Sequence, residues 1–243
     1  MMMLLLDFGN TRLKWALMDD ARAFTQRGSV AYEAPALDAL CQELAGAALQ
    51  RIRYASVVSA EQEMAVLGRF SAAATRFIVR PQAGDLRNVY ATPETLGVDR
   101  WAAAMGAWHQ VAQPCLVISA GTATTVDLID ADAAGGIYRG GLILPGIDLM
   151  LQSLHQRAAR LPQAEGVYRA APAVPDNTHD AMTSGAIDAT CGAIERMGRR
   201  LPAQAPWLVT GGAAATIAEV MGPRLTQVED LVLRGLSLEL DDR

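Results

Sequence analysis

The chain has 243 residues, enough for one large domain or two compact halves with a sizeable core. It is 51% hydrophobic and 19% charged, which excludes a disordered chain, and its 21 basic against 26 acidic residues give a net charge of −5, which excludes an electrostatic footprint for nucleic acid. The three scattered cysteines, Cys41, Cys115 and Cys191, resemble buried thiols more than a disulfide framework, and three histidines with no CxxC or HExxH make a zinc site a poor reading.

The opening MMMLLLDFGN has an apolar run of six residues and no basic leader, so it reads as a strand rather than a signal peptide. No stretch approaches the roughly 18 apolar residues of a membrane helix. The expectation is a cytoplasmic protein that engages neither membrane nor nucleic acid. MLLLDF gives a buried strand that stops at a Gly-Asn turn, and LKWALM gives its hairpin partner. Pro35 to about Leu49 reads as a helix, with proline in the first turn and Leu37, Leu40, Cys41 and Leu44 on one face. RYASVVS (53–59) is a strand, Ala60 to Ala73 a helix, and RFIV (76–79) a short strand. The stretch 81–95, PQAGDLRNVYATPET, has no period and carries turn residues, so a loop is expected. A helix from about Val98 to Val111 puts Trp101, Met105 and Trp108 on one core-facing stripe. CLVISAGTATTVDLID is strand, turn, strand, and GGIYRGGLILPG is a further strand ending in Pro145-Gly146. Then come a helix over about Ile147–Ala159, a Pro- and Ala-rich loop over 160–176 and a long helix over 178–199. WLVTGGAAATIAEVM (207–221) is strand, Gly-Gly turn, helix, and the chain ends in a helix from about Glu229 to Leu238.

The pattern repeats. With Gly9 laid on Gly121, LLLDFGNTRLKWALMDD lies over LVISAGTATTVDLIDAD: apolar strand, polar residue, small-residue turn, returning strand ending in acids. A period near half the chain length points to a duplicated α/β fold rather than a solenoid. The expected halves are 1–112 and 113–243, two similar mixed β-sheet units flanked by helices around a central cleft.

Four stretches could carry chemistry. In Asp7-Phe8-Gly9-Asn10-Thr11 a glycine turn lets backbone N–H groups approach an anion, Thr11 adds a hydroxyl, Lys14 a cation, and Asp7 could hold Mg²⁺ through water. A plain hairpin explains the same turn, since Asn and Gly are the residues a hairpin wants. Ala120-Gly121-Thr122-Ala123-Thr124-Thr125-Val126-Asp127 repeats the logic, and two such turns at matching places of a duplicated fold favour a shared phosphate cradle. Neither matches the GxxxxGK[ST] loop or GxGxxG before a helix. Thr210-Gly211-Gly212-Ala213 would let a flat ring or ribose approach the backbone, or is simply a helix-start glycine pair. In Leu96-Gly97-Val98-Asp99-Arg100, Asp99 at a helix start either caps it or accepts the proton of a substrate hydroxyl, and Arg100 could fork onto a substrate carboxylate.

DFGNTRLK, GVDR, AGTATTVD, GGLILPG and the Thr-Gly-Gly turn, in this order and spacing, resemble the type III pantothenate kinases of the acetate and sugar kinase/actin superfamily. The resemblance spans essentially the whole chain. It implies a duplicated ribonuclease H-like (actin-like ATPase) fold and a homodimer that transfers the γ-phosphoryl of ATP to the 4′-hydroxyl of pantothenate, the first step toward coenzyme A. It further implies that Asp7, Phe8, Gly9, Asn10, Thr11, Arg12, Leu13 and Lys14 line the ATP phosphates, with Asp7 near Mg²⁺, and that Thr122 touches the nucleotide. Asp99 becomes the base toward pantothenate, Gly97, Val98, Asp99 and Arg100 hold it, Tyr90 contacts it, and Thr178 reaches it across the dimer interface. The resemblance also implies a monovalent cation served by an aspartate two residues before the second glycine. Here that residue is Ser119, a neutral oxygen only, so K⁺, NH₄⁺ or no added cation are all open.

Two other readings stand beside this one: a superfamily kinase for another small hydroxy acid or sugar, and a nucleotide-binding regulator without turnover. Arg100 and Tyr90 favour an acid substrate. The acidic net charge argues against direct DNA contact.

Overall fold

The computed structural model describes residues 2–157 and 166–238. In chain order the elements are β1 (Met2–Phe8), β2 (Leu13–Met18), β3 (Phe24–Val30), α1 (Ala34–Leu44), β4 (Leu49–Ser56), α2 (Ala60–Leu67), β5 (Ala73–Arg76), β6 (Gln82–Ala83), β7 (Leu86–Asn88), α3 (Val98–Val111), β8 (Cys115–Ala120), β9 (Ala123–Asp132), β10 (Gly135–Pro145), α4 (Ile147–Arg157), α5 (Thr178–Gly198), β11 (Trp207–Thr210), α6 (Ala214–Met221), β12 (Leu225–Gln227) and α7 (Leu231–Ser237). Short 3₁₀ turns at Pro93–Thr95 and Gly222–Arg224 complete the set. The chain divides into two compact units: Met1–Gln110 with Leu231–Arg243, and Val111–Asp230.

In the first unit the sheet order is β3-β2-β1-β4-β5. β1 is central. Leu4, Leu5 and Leu6 are fully buried, as a strand covered on both faces requires. It pairs antiparallel with β2, which pairs antiparallel with β3, and parallel with β4, which pairs parallel with β5. The core joins Leu4, Leu6, Phe8 and Trp15 to Leu37, Leu40 and Leu44 of α1. Each fully buried leucine contributes about 1.5–3 kcal/mol.

The second unit repeats this order strand for strand. β8 is central, β9 and β10 form the antiparallel side, and β11 and β12 the parallel side. Leu116, Ile118, Ala120 and Val126 pack against Ile187, Cys191 and Ile194 of α5 and Ile217 of α6. The duplication expected from two similar turns is therefore a duplication of topology.

Several boundaries differ from expectation. α1 stops at Leu44, since Ala45 to Ala47 around Gly46 turn and 49–52 join β4. α2 stops at Leu67, where the Gly68 amide bonds Met64 and Val66 carbonyls. The strand expected at 76–79 lies at Ala73–Arg76, with Phe77 N still donating to Tyr54 O at 2.7 Å. The 81–95 loop contains the β6–β7 hairpin, pinned to α3 where Trp108 Nε1 donates to Asp85 Oδ1 at 2.8 Å. The helix expected over 147–159 is seen through Arg157, its last two positions lying outside the described residues, as do 160–165 of the expected loop.

The last helix belongs to the first unit. α7 lies against β1, β2 and β4, and its backbone meets α3 so closely that a Cβ on Gly235 would collide with the Ala102 carbonyl, and one on Gly106 with that of Leu231. Arg53 of β4 donates to the carbonyls of Leu236 and Leu238 at 3.2 and 2.7 Å, satisfying C-terminal groups the helix cannot satisfy itself.

Candidate active site

The first hairpin places Asp7 directly across from Lys14, and Phe8 across from Leu13. Opposed residues on antiparallel strands share a face. Asp7 is 6% exposed at the end of an otherwise apolar strand, next to Ala55 of β4 on its other side. Phe8 and Leu13 are fully buried, Phe8 edge-on to Tyr54 with ring centroids 5.6 Å apart, so only their backbones face outward chemistry. Asn10, Thr11 and Arg12 are exposed. Gly9 is tight: a Cβ there would sit 3.1 Å from the Arg12 carbonyl.

Two residues the sequence did not flag, Tyr32 and Ser29, hold this turn. Tyr32 donates its hydroxyl to the Gly9 carbonyl at 2.7 Å. Burial first, and the negative charge of Asp7 second, push the Tyr32 pKa far up, so the phenol keeps its proton and stays a donor. Arg12 turns back onto β3, its Nε donating to Ser29 Oγ and its Nη2 to Ser29 O, both at 2.8 Å. Sequence alone carries no signal for either contact, which spans 23 and 17 residues.

The start of α3 forms a second cluster in the same unit. Asp99 lies in the first helical turn, half-buried, its Oδ1 accepting from Arg100 N at 2.9 Å. A Cβ on Gly97 would lie 2.6 Å from that oxygen, so glycine leaves room for the carboxylate, and Trp101 N donates to Gly97 O to begin the helix after Val98. Arg100 is buried, and its guanidinium stands 5.8 Å over the ring of Tyr90. Tyr90 is oriented by its own amide, which donates to Asn88 Oδ1 at 3.0 Å. The expected substrate pair, Tyr90 and Arg100, is thus brought together beside Asp99.

In the second unit three glycine turns converge. Thr122 is exposed on the β8–β9 turn, and its carbonyl accepts from Gly146 N at 2.9 Å. A Cβ on Gly146 would strike the Gly121 carbonyl, and one on Gly211, whose φ is +101°, the Ala120 carbonyl. Ala213 N donates to that same Ala120 carbonyl at 3.1 Å. The Thr-Gly-Gly turn, Pro145-Gly146 and Ala120-Gly121-Thr122 are therefore one packed set at the ends of β11, β10 and β8. Ser119 sits between Thr210 of β11 and Thr125 of β9, a row of three hydroxyls across the sheet. The Thr125 hydroxyl is buried without a hydrogen-bond partner among the described residues. Asp127, 1% exposed, accepts from Tyr138 OH at 2.9 Å.

Thr178 opens α5, exposed, behind the N-cap Asn177, whose side chain accepts from Asp180 N at 3.0 Å. The Asp180 carboxylate accepts from Val167 N and Arg169 Nε, both at 2.7 Å, and from Asn177 Nδ2 at 3.0 Å. Those bonds, the Val167 amide first, lower its pKa to about 2. Arg169 N donates to Ser184 Oγ and Tyr168 OH to Asp188, so residues 167–169 are tied along the first turns of α5.

One five-strand order that recurs in both units, each with its first hairpin turning on a glycine, defines the duplicated ribonuclease H-like fold of actin-like ATPases and sugar kinases. Solved structures share it: a candidate Baf-family transcriptional activator of Campylobacter jejuni (21% identity, TM-score 0.61, 96% of this chain and 94% of that one) and a candidate 2-dehydro-3-deoxygalactonokinase of Sinorhizobium meliloti (13%, TM-score 0.57, 96% of both). The family model for type III pantothenate kinase matches residues 3–200. A type III pantothenate kinase of Aromatoleum aromaticum is 40% identical over 243 residues, covering 98% of this chain and 97% of the relative. The chain belongs to the type III pantothenate kinase family.

Proposed function

We propose that this chain transfers the γ-phosphoryl of ATP to the 4′-hydroxyl of pantothenate, giving 4′-phosphopantothenate and ADP at the entry to coenzyme A synthesis. The observation that carries the reading is the Tyr90–Arg100 pair beside Asp99 at the start of α3, in a chain of this family. The Asp99 carboxylate orients the substrate hydroxyl and takes its proton as the new O–P bond forms and the bond from the γ-phosphorus to the β–γ bridging oxygen breaks. Arg100 forks onto the pantothenate carboxylate, a geometry lysine could not match. Tyr90 packs beside it, Gly97 and Val98 present backbone, and Thr178 reaches the substrate of the partner copy in a homodimer. The turn from Asp7 to Lys14 lines the phosphates, its amides and the Lys14 ammonium favouring anionic oxygens, and Thr122 contacts the nucleotide.

A single buried-edge carboxylate, Asp7, suits Mg²⁺, which keeps most of its water and accepts few protein ligands. The metal when bound neutralises charge developing on the transferred group. The Thr210–Ser119–Thr125 row offers only neutral oxygens where the resemblance implies a carboxylate, so stimulation by K⁺ or NH₄⁺ is expected to be weak. Among the described residues no helix is long and apolar enough to cross a membrane, and the proposed location is the cytoplasm.

A coupled ADP-release assay with ATP, Mg²⁺ and pantothenate, titrated with K⁺ and NH₄⁺, tests both statements. Turnover with pantothenate but not with sugars or other hydroxy acids supports the substrate. No ADP release above the ATP-only rate sinks it. Stimulation of tenfold or more by one cation would show that Ser119 does not weaken the site.

A further inference from the structure

The Gly9–Arg12 turn is held at both ends by side chains from the far side of the β2–β3 hairpin, Tyr32 on the Gly9 carbonyl and Ser29 on Arg12. A trans peptide keeps its C=O and the following N–H pointing in opposite directions. Pinning the Gly9 oxygen to Tyr32 therefore aims the Asn10 N–H away from Tyr32, in a turn whose neighbours Asn10 and Thr11 are exposed. Arg12, whose Nε and Nη2 donate to Ser29 Oγ and O, fixes where the turn rejoins β2. We infer that Tyr32 and the Arg12–Ser29 pair are positioning residues that pre-aim the backbone of this turn at the ATP phosphates, Arg12 acting as a brace. The inference rests on the proposed reading of the turn as the phosphate turn.

Glycine at position 9 makes such a brace necessary. Gly9 lacks the Cβ that would restrict its backbone, so the turn can present amides closely but has many conformations to lose on binding. Two clamps remove those conformations before the nucleotide arrives, which is preorganisation in the sense that applies to any binding loop. Tyr32 packs against the apolar core of the first unit, so its ring is supported by the same unit whose turn it holds.

The test uses the full chain with Tyr32→Phe and Ser29→Ala. Affinity for a non-hydrolysable ATP analogue and for AMP is measured by calorimetry, alongside steady-state KM values for ATP and pantothenate and the thermal midpoint. Tyr32→Phe is expected to weaken the analogue and raise the ATP KM by about tenfold, the loss of one half-buried hydrogen bond. AMP affinity and the pantothenate KM should hold near wild type, and the midpoint should fall by no more than about 2–4 °C. Ser29→Ala should do the same more weakly, because its bonds are exposed. An unchanged analogue affinity in both variants overturns the brace, as does a parallel loss for analogue, AMP and pantothenate with a lowered midpoint, the mark of general damage. If Tyr32→Phe does not fold, unchanged analogue affinity in Ser29→Ala overturns it alone. Wild type that binds the analogue but never phosphorylates pantothenate overturns the proposed substrate and leaves the brace to the binding data.

Discussion

Asp99 and Asp180 are two carboxylates near helix starts with different work to do. Asparagine at position 99 keeps an Oδ1 to accept from Arg100 N, so Asp99→Asn should fold normally. It cannot take a proton, and kcat is expected to fall about a hundredfold or more with ATP affinity unchanged, read by steady-state kinetics and calorimetry. Near-normal turnover would remove Asp99 as the base. Asp180 acts on stability. Its folded pKa of about 2 lies below the unfolded value of 3.8, so the folded state favours the ionised form. Its contribution is complete above the unfolded value and fades as pH falls from about 4 toward 2. The thermal midpoint of wild type should therefore exceed that of Asp180→Asn at pH 6, and the gap should narrow below pH 4. A gap independent of pH would mean the Val167 and Arg169 bonds do not act through charge.

Among the elements, α3 carries the proposed base and substrate arginine, and its seat against α7 is set by glycine. A methyl on Gly235 would overlap the Ala102 carbonyl, one turn from Asp99. Gly235→Ala is expected to cost about 1–3 kcal/mol in a denaturant melt and to lower kcat, as overpacking of a close backbone contact does. Gly185→Ala, where nothing lies within contact distance, should be neutral or slightly stabilising in the same melt. The elements that could be read from sequence were those with a strong period or a buried run: β1, β8 and the full span of α3. β3 could not, because FTQRGSV is an edge strand with mostly exposed side chains and no clean alternation. β12 is three residues, and the β6–β7 hairpin is shorter still on one side, below what periodicity can register. The same limit applies to the site. Asp7, Asp99 and the glycine turns could be picked out because their residue types are unusual where they stand. Tyr32 and Ser29 act through contacts distant in sequence, in a stretch with no pattern of its own.

At the scale of the molecule, the division of the chain gives a direct expectation for fragments. Val111–Asp230 holds its own apolar core, so as an isolated fragment it should give a cooperative melt. Met1–Gln110 alone lacks α7, which lies against β1, β2 and β4. It should be marginal or unfolded by circular dichroism and recover when residues 231–243 are joined to it by a flexible linker. A fragment 1–110 as stable as the linked form would mean α7 is only an appendage.

That placement of α7 also sets an order of birth. On the ribosome the first unit's strands emerge early, yet the helix that covers them is made only after the whole second unit. The unit that begins the chain is therefore expected to finish folding after the unit that follows it, against the usual N-terminal-first sequence. Until α7 is made, the apolar surface reserved for Leu231, Leu233 and Leu236 stays open to chaperones, and a message cut short before it would yield a protein recognisable by that uncovered face.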